Sequence, residues 1–375
     1  MRCCDTDSKI SIFIPVYKES ELLKPLLKRI LNDPYDLKEV FVIIDEPTKS
    51  SLELSEEFKD RVRFIFNGER KGKVNVLNEA VKRSSGELLL FLDGDIAITN
   101  EPIYFLKTVL DEAKNVDIVE FKKNVIRDSF LARIINYEYL SFNSTNWLFS
   151  RTLRKCLGFN GAAFAIKREA FESLGGFRKV ISEDLDLGTR SFIKGHSFKY
   201  TEKIEVYNKV SSSWKQWFKQ RKRWGVGTAL WLKEYHKDLL ANVRKYPKIL
   251  LPSLFLIFPS LLLFIINLLI PNQMYLKLVS LLLLLIAAKE ALFLLPIVFT
   301  CAGTVLRGNL FATIGSLAVC MLTFYSLARR LEYAFNPLEF TFFYFVYSPL
   351  WLLTIVATII RTIAAPNKIE IDWKT

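Results

Sequence analysis

Two regimes of hydrophobic patterning divide the chain. Up to about residue 240, short apolar runs alternate with polar and amphipathic stretches, whereas from Pro247 onward charges nearly vanish over long runs such as 278–288 and 340–360. In the first regime KISIFIPVY (9–17) predicts a strand, and SELLKPLLKRILND predicts a helix started or interrupted near Pro25. VFVIID (40–45), VRFIFNG (62–68), a helical stretch from about Lys73 to Ser84 and ELLLFLDGD (87–95) continue the alternation. Strand, helix, strand in succession predicts a parallel sheet with crossover helices, an α/β fold whose ligands bind at the carboxyl ends of the strands. Asp45 and Asp93 stand at such ends.

The second regime contains apolar stretches near 248–270, 276–300, 309–328 and 338–361, each long enough to cross a bilayer. Lys245, Lys248, Arg307, Arg329, Arg330, Arg361 and Lys368 flank them, and not all can be cytoplasmic if all four cross. Lys289 and Glu290, inside the second stretch, either pair with each other or mark a re-entrant segment. Three to four spans are expected. With four, the head and the C-terminal IEIDWKT lie on the same side, so a multi-pass cell-membrane protein with a cytoplasmic head is expected. The organisation is a globular domain over 1–210, an amphipathic interface region over 211–245, membrane helices over 246–365 and a tail over 366–375.

Composition narrows the partners. The chain has 375 residues, 51% of them hydrophobic, and a net charge of +13. That charge suits nucleic acid, an anionic membrane surface or a polyanionic small substrate. The apolar tail, with the basic residues concentrated near its boundary, favours the last two, and no nucleic-acid partner is expected. Five cysteines without metal-ligand spacing argue against a disulfide framework and for a reducing compartment. With only His196 and His236, a histidine-based triad or zinc site is not expected. Residues 1–7 are polar and ISIFIPV is short, so no signal peptide is expected to open the chain.

Candidate chemistry gathers at the strand ends and beyond. Asp45 reads equally as a helix N-cap or turn residue and as a ligand contact. In DGD (93–95) two acids flank a glycine after an apolar strand, which suits either a capped turn or a hard divalent cation that also meets substrate phosphates. GFNGAAFAIKRE, around Gly161, allows close backbone approach or close packing. SEDLDLGTR follows, with Ser182 a candidate cap for a helix bearing Glu183, Asp184 and Asp186. Then Trp217, Trp224 and Trp231 recur every seven residues, while Lys215, Lys219 and Lys222 hold another face. Such a helix suits the headgroup region. Gln220, Arg223 and Trp224 share one of its faces.

Together IPVYKE (14–19), Asp45, KGKVNVLN (71–78), FLDGD (91–95), GAAFAIKRE (161–169), SEDLDLGTR (182–190) and QRKRW (220–224) resemble the membrane-integrated family 2 glycosyltransferases, the group of cellulose, chitin and hyaluronan synthases. The resemblance covers most of residues 9–225, in the family's order. It implies a GT-A-type, Rossmann-like nucleotide-sugar-binding domain followed by an α-helical transmembrane domain. By the same resemblance Pro15, Tyr17, Glu19 and Asp45 hold the nucleoside, and Lys73 meets the pyrophosphate. Asp93 and Asp95 bind Mg²⁺ or Mn²⁺, with Asp95 the more direct ligand. Asp184 is the general base, supported by Glu183. Gln220 and Arg223 meet the diphosphate, Trp224 and Gly161 face the acceptor, and the segment around Trp373 is a candidate gate.

The expected activity is therefore inverting transfer of a sugar from a UDP- or GDP-sugar to a growing polysaccharide, processive and coupled to translocation. Single addition to a lipid-linked acceptor is the alternative, and a non-catalytic nucleotide-sugar-binding membrane protein is a further one.

Overall fold

The computed structural model describes residues 8–99, 103–269 and 310–364. They form two compact units, one of residues up to Ile126 with Asn146–Lys209, the other of Arg127–Thr145 with residues from Val210 onward. The stretch 127–145, expected within the 1–210 domain, clusters with the second unit. From Phe130 it is helix α5 (Phe130–Thr152), whose Tyr137 packs against Phe335, Phe340 and Phe343.

The first unit is built on an eight-stranded sheet in the order β3-β2-β1-β4-β7-β6-β8-β5. Strands β1 (Ile10–Tyr17), β2 (Lys38–Asp45), β3 (Arg63–Asn67) and β4 (Leu88–Leu92) are parallel. Helices α1 (Leu23–Leu31), α2 (Lys49–Phe58) and α3 (Lys73–Lys82) connect them, as the alternation of apolar runs predicts. β7 (Ala163–Lys167) is antiparallel to β4 and to β6 (Ile118–Val125). β8 (Phe198–Asn208) is parallel to β6, and β5 (Ile96–Ile98) closes the far edge. The order reverses beside β1, where crossovers leave in both directions and a crevice opens at the strand ends.

Two-residue periodicity sorts the core. Ile12, Ile14, Val40, Val42, Leu88 and Leu90 pack on one face with α1 and with α4 (Phe105–Ala113). On the other face Phe41, Phe13, Phe91 and Phe164 are cross-strand neighbours, their rings stacked at 5.4, 5.2 and 5.1 Å. Buried aromatic side chains of this size contribute roughly 1.5–3 kcal/mol each. The ladder thus ties four strands into one slab below the crevice.

The second unit is helical. Helix α8 (Trp214–Lys245) occupies the expected interface region, with Lys215, Lys219 and Lys222 exposed. Trp217 departs from the expected headgroup stripe: it is fully buried and its indole N–H donates to Tyr347 Oη at 3.0 Å. The apolar stretch 248–270, expected as one span, is two helices over its described residues, α9 (Pro247–Ile257) and α10 (Ser260–Leu269). Pro259 lacks an N–H and forces Phe258 out of helical geometry, to φ −125° and ψ 75°. Helix α11 (Leu310–Arg330) falls on the third expected span. The fourth is a continuous helix, Pro337–Ala364, with a π turn at Phe343–Tyr347. Among the described residues this last helix alone, 28 residues at a mean hydropathy of 1.9, is long and apolar enough to cross a membrane. The stretch 276–300 with Lys289 and Glu290, Arg307, and the tail 366–375 with Trp373 lie outside the described residues.

Candidate active site

At the carboxyl edge of β1 and β4, Pro15, Lys73, Asp93, Gly161, Glu183 and Asp184 line one depression, floored by Phe91, Phe164 and Phe177. Its free volume is about 10 Å³, room for about one water. Asp93 follows β4 directly. Gly94 has no space for a side chain, because a Cβ there would stand 2.7 Å from Val16 Cγ2. The D-G-D turn is thereby pressed onto β1.

Lys73, the first residue of α3, reaches across with its Nζ 2.7 Å from Asp93 Oδ1 and 3.5 Å from Glu183 Oε1. Burial alone would push its ammonium down, but Asp93 and Glu183 together hold it above its ordinary value. Loss of hydration pushes the Glu183 carboxyl up, against the pull of Lys73 and with the repulsion of Asp184. Asp95 has an exposed side chain, yet the protein packed around its carboxyl and the neighbouring Asp93 push it up to about 6.

Glu183 and Asp184 open helix α7 (Glu183–Lys194). Ser182 occupies the N-cap position, but its side chain makes no capping hydrogen bond, contrary to the sequence expectation. Asp184 is oriented by two backbone donors instead: Gly161 N–H gives 2.9 Å to Oδ2 and Leu185 N–H gives 2.8 Å to Oδ1. The third acid of the turn, Asp186, is buried and pairs with Arg190 and Arg178, a structural role.

Asp45 is not a helix cap, since Thr48 caps α2. It is buried, with Oδ1 accepting from Asn67 Nδ2 at 2.8 Å and Oδ2 from Gly72 N–H at 3.0 Å. Each oxygen keeps a second lone pair for a hydroxyl. Tyr17, exposed at the end of β1, donates its hydroxyl to Glu46 at 3.0 Å and carries the Arg70 guanidinium 3.8 Å from its ring centroid. Glu19 accepts from Thr48 Oγ1 at 2.8 Å.

Gln220, Arg223 and Trp224 stand on α8 in the second unit, Gln220 exposed and the other two half-buried. Between them Arg221 is 1% exposed, hydrogen-bonded to Glu138 and to Tyr347, with its guanidinium 4.2 Å from the Trp224 ring centroid. Sequence reasoning missed Arg221, Glu138, Asn67 and Arg70. The one available signal was a fourth cation crowded into FKQRKRW, more than a ligand contact needs.

As a donor set for a divalent cation, Asp93 and Asp95 supply hard carboxylate oxygens. Among the described residues no group of three or more His, Cys, Asp or Glu gathers to hold a metal. Such a pair fits a Mg²⁺- or Mn²⁺-type ion that takes its other ligands from water and substrate phosphates. The described cysteines, Cys156 and Cys320, are free.

Several known proteins resemble this chain. The model of the glycosyl transferase family 2 matches residues 11–175, a range that runs from strand β1 through β7 of the sheet. A probable glycosyltransferase, YdaM, of Bacillus subtilis (strain 168) is 27% identical over 234 residues, which are 58% of this chain and 55% of the relative. The poly-beta-1,6-N-acetyl-D-glucosamine synthase of Staphylococcus aureus (strain COL) is 26% identical over 223 residues, 58% of this chain and 54% of the relative. The chain spans about half the length of these curated relatives. Among solved structures, a mannosyltransferase from Pyrobaculum calidifontis in complex with GDP-Man and Mn²⁺ superposes with a TM-score of 0.54 at 18% identity, covering 96% of this chain and 88% of that one. The fold is accordingly GT-A-like, a Rossmann-type sheet carrying a family 2 domain.

Proposed function

We propose, from the family 2 domain at residues 11–175, that the chain is an inverting glycosyltransferase using a nucleoside diphosphate sugar and a divalent cation. The observation that carries this reading is the meeting of Lys73, Asp93, Glu183 and Asp184 in one depression at the carboxyl edge of the sheet. Pro15, Tyr17, Glu19 and Asp45 hold the nucleoside along the ends of β1 and β2. Asp93 and Asp95 hold Mg²⁺ or Mn²⁺, which when bound offsets the charge that develops on the departing diphosphate.

Asp184, held by two N–H donors, takes the proton of an acceptor hydroxyl. The acceptor oxygen bonds to the anomeric carbon as the bond from that carbon to the diphosphate oxygen breaks, so one displacement inverts the centre. Lys73, with Gln220 and Arg223 of α8, meets the diphosphate, and preorganised cations of this kind lower the barrier most where charge develops. Trp224 offers its ring to the acceptor sugar, and Gly161 leaves room beside the base.

The acceptor in this reading is a growing polysaccharide, extended processively and passed through a multi-pass membrane domain, with the first unit cytoplasmic. The test is nucleotide release from UDP- and GDP-sugars by detergent-purified protein with Mg²⁺ or Mn²⁺, followed by sizing of labelled product. A long ladder lost in Asp184→Asn is expected. A lipid-extractable single-addition product would replace the polymer by a lipid-linked acceptor, and donor binding without turnover in any acceptor mixture would leave a sensor.

A further inference from the structure

Strand β6, IVEFKKNV, is buried along its whole length although it carries one carboxylate and two ammonium groups. Charge enters a strand interior only when it is paired. Glu120 and Lys123, 2% and 1% exposed, form such a pair, Lys123 Nζ donating to Glu120 Oε1 at 2.7 Å. The pair does not exhaust Glu120. Its Oε2 accepts from Asn146 Nδ2 at 2.6 Å, and its Oε1 also accepts the backbone N–H of Asn160 at 3.0 Å.

Asn160 opens the turn that orients Asp184, and three successive backbone donors there have separate acceptors. Asn160 N–H points to Glu120, Gly161 N–H to Asp184 Oδ2, and Ala162 N–H to the Asn160 side chain at 2.9 Å. Fixing the first of these fixes the direction of the second. The geometry points to Glu120, with Lys123 as its counter-ion, as a positioning residue that aims the Gly161 N–H and so holds the Asp184 carboxylate in register with the acceptor. This inference rests on the proposed role of Asp184 as general base.

A buried pair of merely structural use can be replaced by apolar residues of similar volume without loss. Two double variants of the full chain therefore separate the roles. Glu120→Leu/Lys123→Met removes both charges and the acceptor for Asn160. Glu120→Gln/Lys123→Met removes both charges but keeps an oxygen for that N–H. The expected result is a fall in kcat of about tenfold or more for the first, with donor KM unchanged, and near-wild-type kcat for the second, since small misplacement of a reacting group is costly. Unchanged kcat in the leucine variant, equal losses in both, or a loss confined to donor KM would overturn the inference. Should the leucine variant fail to fold, amide exchange in the wild-type protein decides: protection of Asn160 and Gly161 by about 10²-fold is expected, and peptide-like exchange at Asn160 overturns it. Absence of wild-type turnover with any donor would be seen first and would defeat the glycosyltransferase reading, and this inference with it.

Discussion

The backbone N–H of Gly161 donates to Asp184 Oδ2 at 2.9 Å, and a side chain on the Gly161 Cα would crowd that carboxylate. A Cβ there would stand 3.0 Å from Asp184 Cβ and 3.2 Å from Oδ2. Gly161→Ala must therefore displace the carboxylate by a few tenths of an ångström while leaving the sheet intact. The expected outcome is a kcat lower by about tenfold to 10²-fold, with donor KM little changed. Steady-state kinetics beside a thermal melt would check it. A variant with wild-type kcat would show that the orientation of Asp184 is not limiting.

Lys73 is the cation that the acids of the depression share before any metal or donor enters. Replacing it in Lys73→Met leaves Asp93 and Glu183 facing each other without their common partner. Because the Lys73–Asp93 pair is about one-third exposed, the direct loss of stability is modest, about 1 kcal/mol. The sharper signature is differential. Mn²⁺ should raise the thermal midpoint of the variant more than that of the wild type, while kcat falls by about 10²-fold if Lys73 meets the diphosphate as proposed. Equal metal responses in the two proteins would contradict the shared-cation role.

Asp95 gives the site a pH dependence whose sign is fixed. Its carboxyl is pushed up to about 6 in the metal-free protein, so the charged form is disfavoured relative to the unfolded chain. It therefore contributes a loss of stability as pH rises from about 4 to about 6. A divalent cation held there, as proposed, would reverse this by competing with the proton. Mn²⁺ affinity, measured by calorimetric titration without donor, should rise about tenfold between pH 5 and pH 7.5 and then level. A flat profile would remove Asp95 from the proposed ligand set.

The parallel half of the sheet was legible because each strand is a continuous apolar run and each ends in a residue with no place in a core. Tyr17, Asp45 and Asp93 mark the crevice for that reason, and β1 to β4 appear close to their expected bounds. The second half was not legible. IVEFKKNV has the look of a solvated edge strand, and its burial comes from partners remote in sequence: β7 and β8 flank it, Phe105 of α4 packs on Phe121, and Asn146 of α5 bonds Glu120. The support of Asp45 was hidden as well, since Asn67 and Gly72 reach it only through the pairing of β2 with β3. In the tail, a hydropathy run over 248–270 cannot show that Pro259 breaks it, because both sides of the break are equally apolar.

Arg221 poses the same difficulty in its strongest form, since helical period alone cannot say which of four neighbouring cations turns inward. Its partner Glu138 lies on α5, 83 residues earlier in the chain. Tyr347, in the π turn, donates its hydroxyl to Glu138 and accepts from Arg221 and from Trp217. The guanidinium also lies 4.8 Å from the Trp351 ring centroid. Removing one charge strands the other in an apolar interior, so Arg221→Met or Glu138→Leu alone should each cost about 3–5 kcal/mol. The double variant should recover most of that loss, because two apolar side chains need no counter-charge. Trp224, however, loses the cation over its face in both Arg221→Met proteins. Its proposed role as an acceptor platform should then weaken, read as a higher acceptor KM in the recovered double variant, while the thermal midpoint of detergent-solubilised protein reports the stability. A double variant as unstable as the singles would show that the hydrogen bonds through Tyr347, rather than the charge pair, hold the three helices together.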